Sequence, residues 1–399
     1  MIGAVAIWIL AIAAIPLALV VGVFALQIVG AAWPSSAARP VRTNPAVRRR
    51  IIVLVPAHNE SAGITHTLES VIPQLHAHDS VLVVADNCTD DTAEIARNCG
   101  ANVLERFHET DRGKGFALAF GVDAMRADPP GLVVIVDADC RLAPGALDTL
   151  ARCVLAMDRP AQALYLMLAA PGAGVARRLA QFAWRVRNWV RPAGWHRFGL
   201  PCQLMGTGMA FTWVMLRDAA LANASIVEDM KLGIDLGLRG QAPVFCARAL
   251  VTSEFPDSFA ATKTQRTRWE HGHLEMILRE VPPMVKTAIG RRDWRLAGMA
   301  LDLCVPPLAL LAVSLIFGTL LATGVSAWTE TPEIVVLYGA LLVMFALAAL
   351  VAWMLRGTDL VRLAELLTIP LYIGAKIPLY IRFVWRRQKQ WVRTDRDKR

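Results

Sequence analysis

The stretch "VVIVDADC", residues 133–140, runs four β-branched residues directly into two aspartates that only Ala138 separates. A short apolar run of this kind is typical of a strand that is buried in a sheet. Side chains alternate between faces along an extended strand, so Asp137 and Asp139 are predicted to point the same way at its C-terminal end. Two carboxylates this close repel each other unless a cation lies beside them. The pattern therefore indicates a divalent-metal site or, as the alternative, one turn residue followed by one helix cap.

Strand and helix signals alternate along the chain from residue 51 to residue 137. Alternation of this kind is typical of an α/β fold with a doubly wound, mostly parallel sheet, in which ligands bind beyond the carboxyl ends of the strands. The predicted strands are "IIVLV" (51–55), "SVLVVAD" (80–86), "ANVLE" (101–105) and "LVVIVD" (132–137).

Polar residues follow these predicted strands. "PAHNE" (56–60) follows the first, Asp86 ends the second and "RGKG" (112–115) follows the third. No G-x-G-x-x-G follows the first strand, and Lys114 does not sit in a P-loop, so the two common glycine-rich phosphate loops are excluded. A lysine together with a metal held by two aspartates can bind a phosphate instead, and Mg²⁺ or Mn²⁺ is the expected ion.

Three uncharged runs, 2–30, 303–327 and 334–355, exceed the roughly 20 residues that a membrane-spanning helix requires. The basic flank that ends at Arg50 and the basic C-terminal tail belong in the cytoplasm by the positive-inside rule, whereas the loop 326–333 has no Lys or Arg. The net charge of +9 lies largely in these flanks, which favours a membrane surface over nucleic acid as the partner. Seven scattered cysteines without a CxxC pair indicate no disulfide framework.

These signals predict a cytoplasmic domain held between membrane segments. The expected divisions are an N-terminal transmembrane helix (1–32), a basic cytoplasmic linker (33–50), a cytoplasmic α/β domain (51–295), two transmembrane helices (296–356), and an interfacial or re-entrant segment with a basic cytoplasmic tail (357–399).

Two segments beside the spans are predicted to meet the membrane surface. Residues 175–200 carry apolar residues at helical spacing with arginines and three tryptophans between them, which is typical of an interfacial helix on anionic lipid. Residues 363–381 contain "IPLY" twice, and two prolines suit an interfacial or re-entrant helix better than a plain span. Lys376 is then expected to meet a lipid or pyrophosphate head group, with a fourth span and a snorkelling lysine as the alternative.

Six motifs in this order resemble those of family 2 glycosyltransferases of the GT-A fold, in the membrane-embedded polysaccharide synthase-like branch. The resemblance covers roughly residues 51–280, and Val227 stands where the family usually has Thr. The motifs are "PAHNE", "VVADNCTDDTA", "RGKGFAL", "VDADC", "IVEDMKLGIDLGLRG" (226–240) and "QRTRW" (265–269), the last matching Q-x-x-R-W.

The resemblance implies a role for each matching residue. Asp137 and Asp139 would hold Mg²⁺ or Mn²⁺ on the donor diphosphate, Asp229 would be the general base, and Glu228 would shape its pocket. The remaining implied binding residues are Pro56, Ala57 and Glu60 around the nucleoside, Asp86 at a uracil ring, Lys114 near the phosphates, Arg268 at the diphosphate, Trp269 at the acceptor with Gln265 on the same helix face, and the acceptor loop Gly206, Thr207 and Gly208. For Asp86 the alternative is a cap of a helix starting near Thr89, and for Lys114 it is a surface lysine.

The implied function is an inverting glycosyltransferase of the inner (plasma) membrane, multi-pass, with its catalytic domain in the cytoplasm. It would move a sugar from a nucleoside-diphosphate sugar, with UDP as the expected nucleotide, to a lipid-linked or glycan acceptor in polysaccharide or glycolipid assembly. Alternatives are a processive synthase that extrudes its polymer and a catalytically inactive nucleotide-sugar-binding scaffold. Three spans are few for a one-chain sugar channel, which favours single transfer or an oligomer. A transporter is disfavoured because spans one and three are expected to carry no polar residue.

Overall fold

The computed structural model of the chain describes residues 1–33, 49–222, 227–255 and 259–385. Within them, eight strands form one sheet, and helices cover its faces and extend beyond it. The strands are β1 (Ile51–Ala57), β2 (Ser80–Asp86), β3 (Asn102–Arg106), β4 (Leu132–Ile135), β5 (Arg141–Leu142), β6 (Ala161–Leu168), β7 (Met209–Thr212) and β8 (Val244–Glu254).

The helices fall into three groups along the chain. Those of the sheet domain are α2 (Ile64–Val71), α3 (Thr92–Asn98), α4 (Lys114–Ala124), α5 (Ala146–Met157), α6 (Val175–Arg185), α7 (Arg191–Arg197), α8 (Trp213–Leu216) and α9 (Glu228–Leu238). Long apolar helices are α1 (Ile2–Ala32), α12 (Leu308–Thr329) and α13 (Glu333–Arg356). Connecting and C-terminal helices are α10 (Phe259–Arg291), α11 (Trp294–Cys304), α14 (Ile369–Gly374) and α15 (Ile377–Trp385).

The sheet has the order β3-β2-β1-β4-β7-β6-β8-β5, which confirms the predicted α/β class. Strands β1 to β4 pair in parallel, as the alternating pattern predicted. The other half is mixed, because β7 runs antiparallel to both β4 and β6, and β5 runs antiparallel to β8. All carboxyl ends of the parallel half therefore meet at one edge, which is where the polar motifs lie.

The interior of the sheet explains the apolar strand runs. Every residue of β4 is buried, as are all residues of β1 except Pro56. Helices α2 and α5 pack on one face, and α4 and α9 pack on the other. Helix α4 lies close to the sheet because Gly121 has no side chain: a Cβ there would lie 2.6 Å from Leu54 Cδ1.

The geometry predicted for the two aspartates of "VDADC" needs correction. Strand β4 ends at Ile135, and Asp137 begins a turn in which the backbone N–H of Cys140 donates to Asp137 O at 3.0 Å. Strand alternation therefore does not bring the two carboxylates together. The turn does so instead, since side-chain ligand atoms of Asp137, Asp139 and Cys140 lie within 4.8 Å of one another.

Four helical segments of the described chain are long and apolar enough to cross a membrane: 2–32, 308–329, 333–356 and 363–383. The first three match the predicted spans. Tyr338 of α13 donates a hydrogen bond to Leu10 O of α1 at 3.0 Å, and Gly318 of α12 makes room for the same tyrosine ring. The three helices thus pack on one another as a bundle.

Helix α1 also carries a buried polar residue, Gln27, which corrects the expectation that the first span has none. Gln27 Nε2 donates to Asp302 Oδ1 at 2.7 Å, and Arg191 Nε donates to Gln27 Oε1 at 2.7 Å. Arg191 Nη2 reaches the same Asp302 oxygen at 3.0 Å. Each group of this network is satisfied, and the network joins the first span to the sheet domain.

The 175–200 segment is helical, as predicted, and three of its six arginines pair with acidic residues of the chain. Besides the buried Arg191, Arg178 pairs with Glu365 and Arg185 pairs with Asp359. Small residues bring α7 against α1, since a Cβ on Gly194 would lie 1.7 Å from Gln27 O. The segment therefore connects the sheet domain to the long apolar helices. Its contact with lipid stays a prediction.

The "IPLY" segment is divided into a 3-10 turn (Leu363–Thr368), α14 and α15. A proline is the second residue of both helices, a position at which it lacks no helical hydrogen bond. Lys376, between the two helices, donates to Glu270 Oε1 of α10 at 2.7 Å, and only 12% of its side chain is exposed. The expectation that Lys376 meets a lipid or pyrophosphate head group is thus wrong for this structure.

Candidate functional site

A cleft of about 650 Å³ opens at the carboxyl edge of the parallel strands. It brings together residues from all six sequence motifs described above and from the loop before β7. The predicted residues that line it are Pro56, Ala57, Glu60, Asp86, Lys114, Asp137, Asp139, Gly206, Glu228, Asp229, Gln265, Arg268 and Trp269. Thr207 and Gly208 are buried behind the wall of the cleft.

The turn that carries Asp137 and Asp139 is held by two threonine hydroxyls. The backbone N–H of Asp137 donates to Thr207 Oγ1 at 3.1 Å, and Thr67 Oγ1 donates to Ala138 O at 2.7 Å. Thr67 and Thr207 come from α2 and from the acceptor loop, far apart in sequence. Thr67 was not predicted, because nothing in the local pattern of α2 marks one threonine as a partner of this turn.

The residues at this turn fit a hard divalent cation. Two carboxylates offer the oxygen ligands that Mg²⁺ and Mn²⁺ prefer. Burial, together with the charges of Asp139 and Asp137, raises the pKa of the Cys140 thiol well above its ordinary value. The thiol donates to Asp139 Oδ1 at 3.3 Å, a contact that orients this carboxylate.

Lys114, the first residue of α4, projects into the centre of the cleft. Its Nζ donates to Gly206 O at 2.7 Å, forms an ion pair with Asp137, and lies 4.0 Å from Glu228 Oε1. Burial acts to lower the pKa of Lys114, but the charges of Asp137 and Glu228 outweigh it and raise the pKa above its usual value. The alternative of a surface lysine is therefore wrong, and Lys114 is a fixed cation of the cleft.

Glu228 and Asp229 occupy the first turn of α9, where the helix dipole favours negative charge. Burial raises the pKa of Glu228 to about 7, with the charge of Asp229 adding to the shift and that of Lys114 opposing it. Glu228 is therefore poised to hold a proton near neutral pH.

Gly206 marks the point at which the motifs converge. Its φ is +91°, and a Cβ there would lie 3.3 Å from Asp229 Oδ2, 3.6 Å from Lys114 Nζ and 3.9 Å from Asp137 Oδ2. A glycine is required at this position both by its backbone conformation and by the close approach of three charged groups.

The loop around Gly206 is fixed from behind by Gln162 of β6. Its amide accepts from Met205 N–H at 2.8 Å and donates to Thr207 O at 2.9 Å. Gly208, with φ +64°, has no room for a side chain, because a Cβ would lie 2.7 Å from Ala163 Cβ. The predicted acceptor loop is thus a rigid wall, and Gln162 is a supporting residue that sequence reasoning missed.

Asp86, the last residue of β2, lines the cleft with its carboxylate paired to Arg106, at 2.6 Å from Nη1. The alternative role for Asp86, a cap of a helix near Thr89, is wrong, because α3 begins at Thr92 and its N-cap is Asp91. Arg106 was not predicted. It ends β3 beside β2, a register that the sequence alone does not specify.

The first loop, which includes Pro56, Ala57 and Glu60, wraps the same end of the cleft. Its backbone is held by α3: Glu60 N–H donates to Thr92 Oγ1 at 2.8 Å. Asn59 adopts φ +52°, a left-handed conformation that asparagine tolerates better than most residues.

Gln265, Arg268 and Trp269 all line the cleft from α10, which is consistent with the shared helix face that their spacing predicts. The Trp269 ring contacts Trp184 of α6, with centroids 4.9 Å apart. The Q-x-x-R-W helix thus closes the cleft on the side of the 175–200 segment.

A π-helical turn, Val186–Val190, follows α6 and adds two further lining residues, Arg187 and Asn188. π-turns inside helices occur frequently at functional sites. Asn188 Nδ2 donates to Tyr165 O at 3.2 Å, which anchors the turn on β6. Sequence reasoning missed both residues as cleft residues, because it assigned this whole segment to the membrane surface.

Comparison with known proteins identifies a matching family. Residues 48–272, more than half of the chain, match the family described as "Glycosyltransferase like family 2". The matched range contains the strands and every lining residue of the cleft.

Curated relatives are similar over a shorter stretch. 4,4'-Diaponeurosporenoate glycosyltransferase of Staphylococcus aureus (strain USA300) is 36% identical over 106 residues, which are 26% of this chain and 27% of that protein. An uncharacterised protein of Methanocaldococcus jannaschii is 31% identical over 112 residues, 28% of this chain and 44% of that one. The chain thus spans about a quarter to less than half of the length of these relatives.

Two solved structures are similar at low identity. A mannosyltransferase of Pyrobaculum calidifontis, in complex with GDP-Man and Mn²⁺, is 20% identical with a TM-score of 0.43, covering 85% of this chain and 98% of that one. Glucosyl-3-phosphoglycerate synthase of Mycobacterium tuberculosis, in complex with Mn²⁺, UDP and phosphoglyceric acid, is 21% identical with a TM-score of 0.36, covering 56% and 78%. At these TM-scores neither likeness carries an argument about donor or acceptor.

Proposed function

Since the chain belongs to glycosyltransferase-like family 2, we propose that it transfers a sugar from a nucleoside-diphosphate sugar to a membrane-associated acceptor. The single observation that carries the proposal is the convergence at Gly206. There, Asp137, Lys114 and Asp229 come from three separate motifs and approach one point in the cleft.

The donor would lie along the carboxyl edge of β1, β2 and β4. Asp86 and the first loop (56–60) would contact the nucleoside, with UDP as the expected nucleotide. Lys114 and Arg268 would meet the diphosphate with positive charge. Asp137 and Asp139 would hold Mg²⁺ or Mn²⁺, which when bound stabilises the negative charge of the leaving diphosphate.

The acceptor would enter from the side of Trp269. Asp229 would take the proton of the acceptor hydroxyl while that oxygen forms its bond to the anomeric carbon of the donor. The bond from this carbon to the diphosphate oxygen breaks at the same time, and the nucleoside diphosphate leaves with the electron pair. A single displacement of this kind inverts the anomeric configuration.

The membrane helices support a cell-surface role. With the basic flanks inside, the cleft faces the cytoplasm of a plasma-membrane protein, where nucleotide sugars are made. A reporter fused after Arg399 should be active in the cytoplasm, and one inserted near Thr329 should report the outside. The reverse pattern would contradict this orientation.

Processive synthesis of an extruded polymer is the alternative within the same activity, and an inactive nucleotide-sugar scaffold is the alternative outside it. The scaffold is disfavoured by the complete set of carboxylates in the cleft, because a binding protein has no use for the base. Product length separates the other two: one added sugar indicates single transfer, and a ladder of products indicates processivity.

The test is a donor screen with the purified full chain in lipid nanodiscs. We expect one sugar nucleotide to release its nucleoside diphosphate in the presence of Mg²⁺ or Mn²⁺. If no sugar nucleotide is bound or cleaved under any of these conditions, the proposed function is wrong.

A further inference from the structure

Arg187 is the one lining residue of the cleft on the π-turn that carries a full charge. Across the described residues, no hydrogen bond or ion pair of its guanidinium is observed; its contact is with Trp184, whose ring centroid lies 5.7 Å from Arg187 Cζ. A guanidinium remains charged at any physiological pH. An unpaired cation facing a cleft is therefore a position for an anionic ligand.

The surroundings of Arg187 differ from those of Lys114. The carboxylates that act most strongly on Lys114 are those of Asp137 and Glu228. Burial lowers the pKa of Arg187, and the opposing carboxylate charges are first Asp229 and then Glu270 of α10. Arg187 stacks on Trp184, and the Trp184 ring lies 4.9 Å from that of Trp269, so Arg187 lies on the side of the cleft at which the acceptor would enter.

The residues on either side of Arg187 are held in place by hydrogen bonds and ring contacts. Trp184 is fixed by its indole N–H, which donates to Tyr165 O at 3.2 Å, and by ring contacts to Tyr165 and Trp269. Asn188, which follows Arg187 in sequence, is buried, and its side-chain amide donates to the same Tyr165 carbonyl oxygen. A side chain whose neighbours are locked in this way can hold a ligand with little further loss of entropy.

The π-turn leads directly into α7, which packs against the first membrane helix at Gly194 and Gly30. A molecule that reaches Asp229 from the membrane would therefore pass the 175–200 segment. The phosphate or carboxylate of a lipid-like molecule is the anion that membranes supply at such a position.

We propose that Arg187 binds an anionic group, a phosphate or a carboxylate, of the membrane-held acceptor and so positions its accepting group beside Asp229. The inference rests on the proposed function and narrows it to one class of acceptor.

The test uses the full chain in phosphatidylcholine nanodiscs, loaded with nucleoside diphosphate and Mn²⁺. Three probes of equal chain length are compared: hexadecyl phosphate, palmitate and hexadecanol. Binding is followed by the intrinsic tryptophan fluorescence of the chain, and the variants are Arg187→Ala and Arg187→Lys. Arg185→Ala is the matched control, because Arg185 lies on the same segment but pairs with Asp359 outside the cleft.

We expect the parent to bind one or both anionic probes at least roughly 10-fold more tightly than the alcohol. Arg187→Ala should lose this preference, Arg187→Lys should keep part of it, and Arg185→Ala should keep all of it. The probe that binds more tightly identifies the source of the anion as phosphate or carboxylate.

Two results would overturn the inference. One is an equal affinity of the parent for all three probes; the other is an unchanged preference in Arg187→Ala. Nucleotide binding by each variant, measured in the same samples, shows that the cleft is folded. Failure of the proposed function is separate, because it would appear as absence of donor cleavage by the parent.

Discussion

Lys376 of the C-terminal segment donates a hydrogen bond to Glu270, the residue that directly follows Trp269 in the Q-x-x-R-W helix. Both side chains are largely buried, with 12% and 11% exposed. The pair is supported by His271, whose Nε2 lies 3.1 Å from Leu379 O. The broken C-terminal helices therefore hold α10 in position from behind.

This contact predicts that Lys376→Ala leaves the carboxylate of Glu270 buried without its cation, at a cost of about 1–3 kcal/mol. Turnover should fall because the cleft face of α10 shifts, whereas donor affinity should change less. The double variant Glu270→Lys, Lys376→Glu restores opposite charges and should recover part of the turnover. If each single variant matches the parent in both kcat and KM, the pair has no positioning role.

Gly206→Ala should abolish turnover while the protein still folds. The added methyl group would meet Asp229 and Lys114 and would also force alanine into a left-handed conformation. Gly172→Ala is the matched control, since Gly172 has φ +77° but nothing within 4 Å of its Cβ position. Equal losses in the two variants would assign the effect to the backbone alone and would contradict the convergence at Gly206.

Thr207→Val should weaken metal binding without removing any ligand. The change leaves the buried N–H of Asp137 without its acceptor, so the turn loosens. Loss of a residue that orients a metal ligand commonly weakens affinity by about 10- to 100-fold. Titration with Mn²⁺ in the presence of nucleotide measures this. Thr149→Val removes a hydroxyl bonded to Gly145 O far from the cleft, and it should leave the titration unchanged.

Asp229→Asn keeps the shape of the side chain and removes the proton acceptor. Donor and metal binding should survive, and turnover should fall by roughly 100-fold or more. A rate within a few-fold of the parent would place the base elsewhere in the cleft. Asp235→Asn, a change at a carboxylate of the same helix that lies outside the cleft, serves as its control.

The features that the sequence predicts correctly are those that depend on local residue patterns. Strand β2 has the predicted bounds, and the residues at the strand ends do meet in one cleft, because parallel strands bring their carboxyl ends to a common edge. The mixed half of the sheet was not predicted, since the pairing of β7 with β4 and β6 joins segments that no short-range pattern relates.

The missed site residues share one physical cause. Thr67, Arg106 and Gln162 act through hydrogen bonds to residues distant in sequence, which composition and periodicity do not register. The arginines of 175–200 show a second limit of composition. A basic aromatic helix at a membrane and a basic aromatic wall of a cleft have the same composition, and only the structure shows that Arg187 lines the cleft while Arg191 is buried.

The most direct test of the central claim is the metal dependence of nucleoside diphosphate release, measured for the parent and for Asp139→Ala with the donor that the screen selects. The parent should lose activity in EDTA and regain it with Mg²⁺ or Mn²⁺. Asp139→Ala should remain inactive in every condition and should show no metal-dependent nucleotide binding, since one of the two carboxylate ligands is gone. Full activity of Asp139→Ala in EDTA would contradict the account.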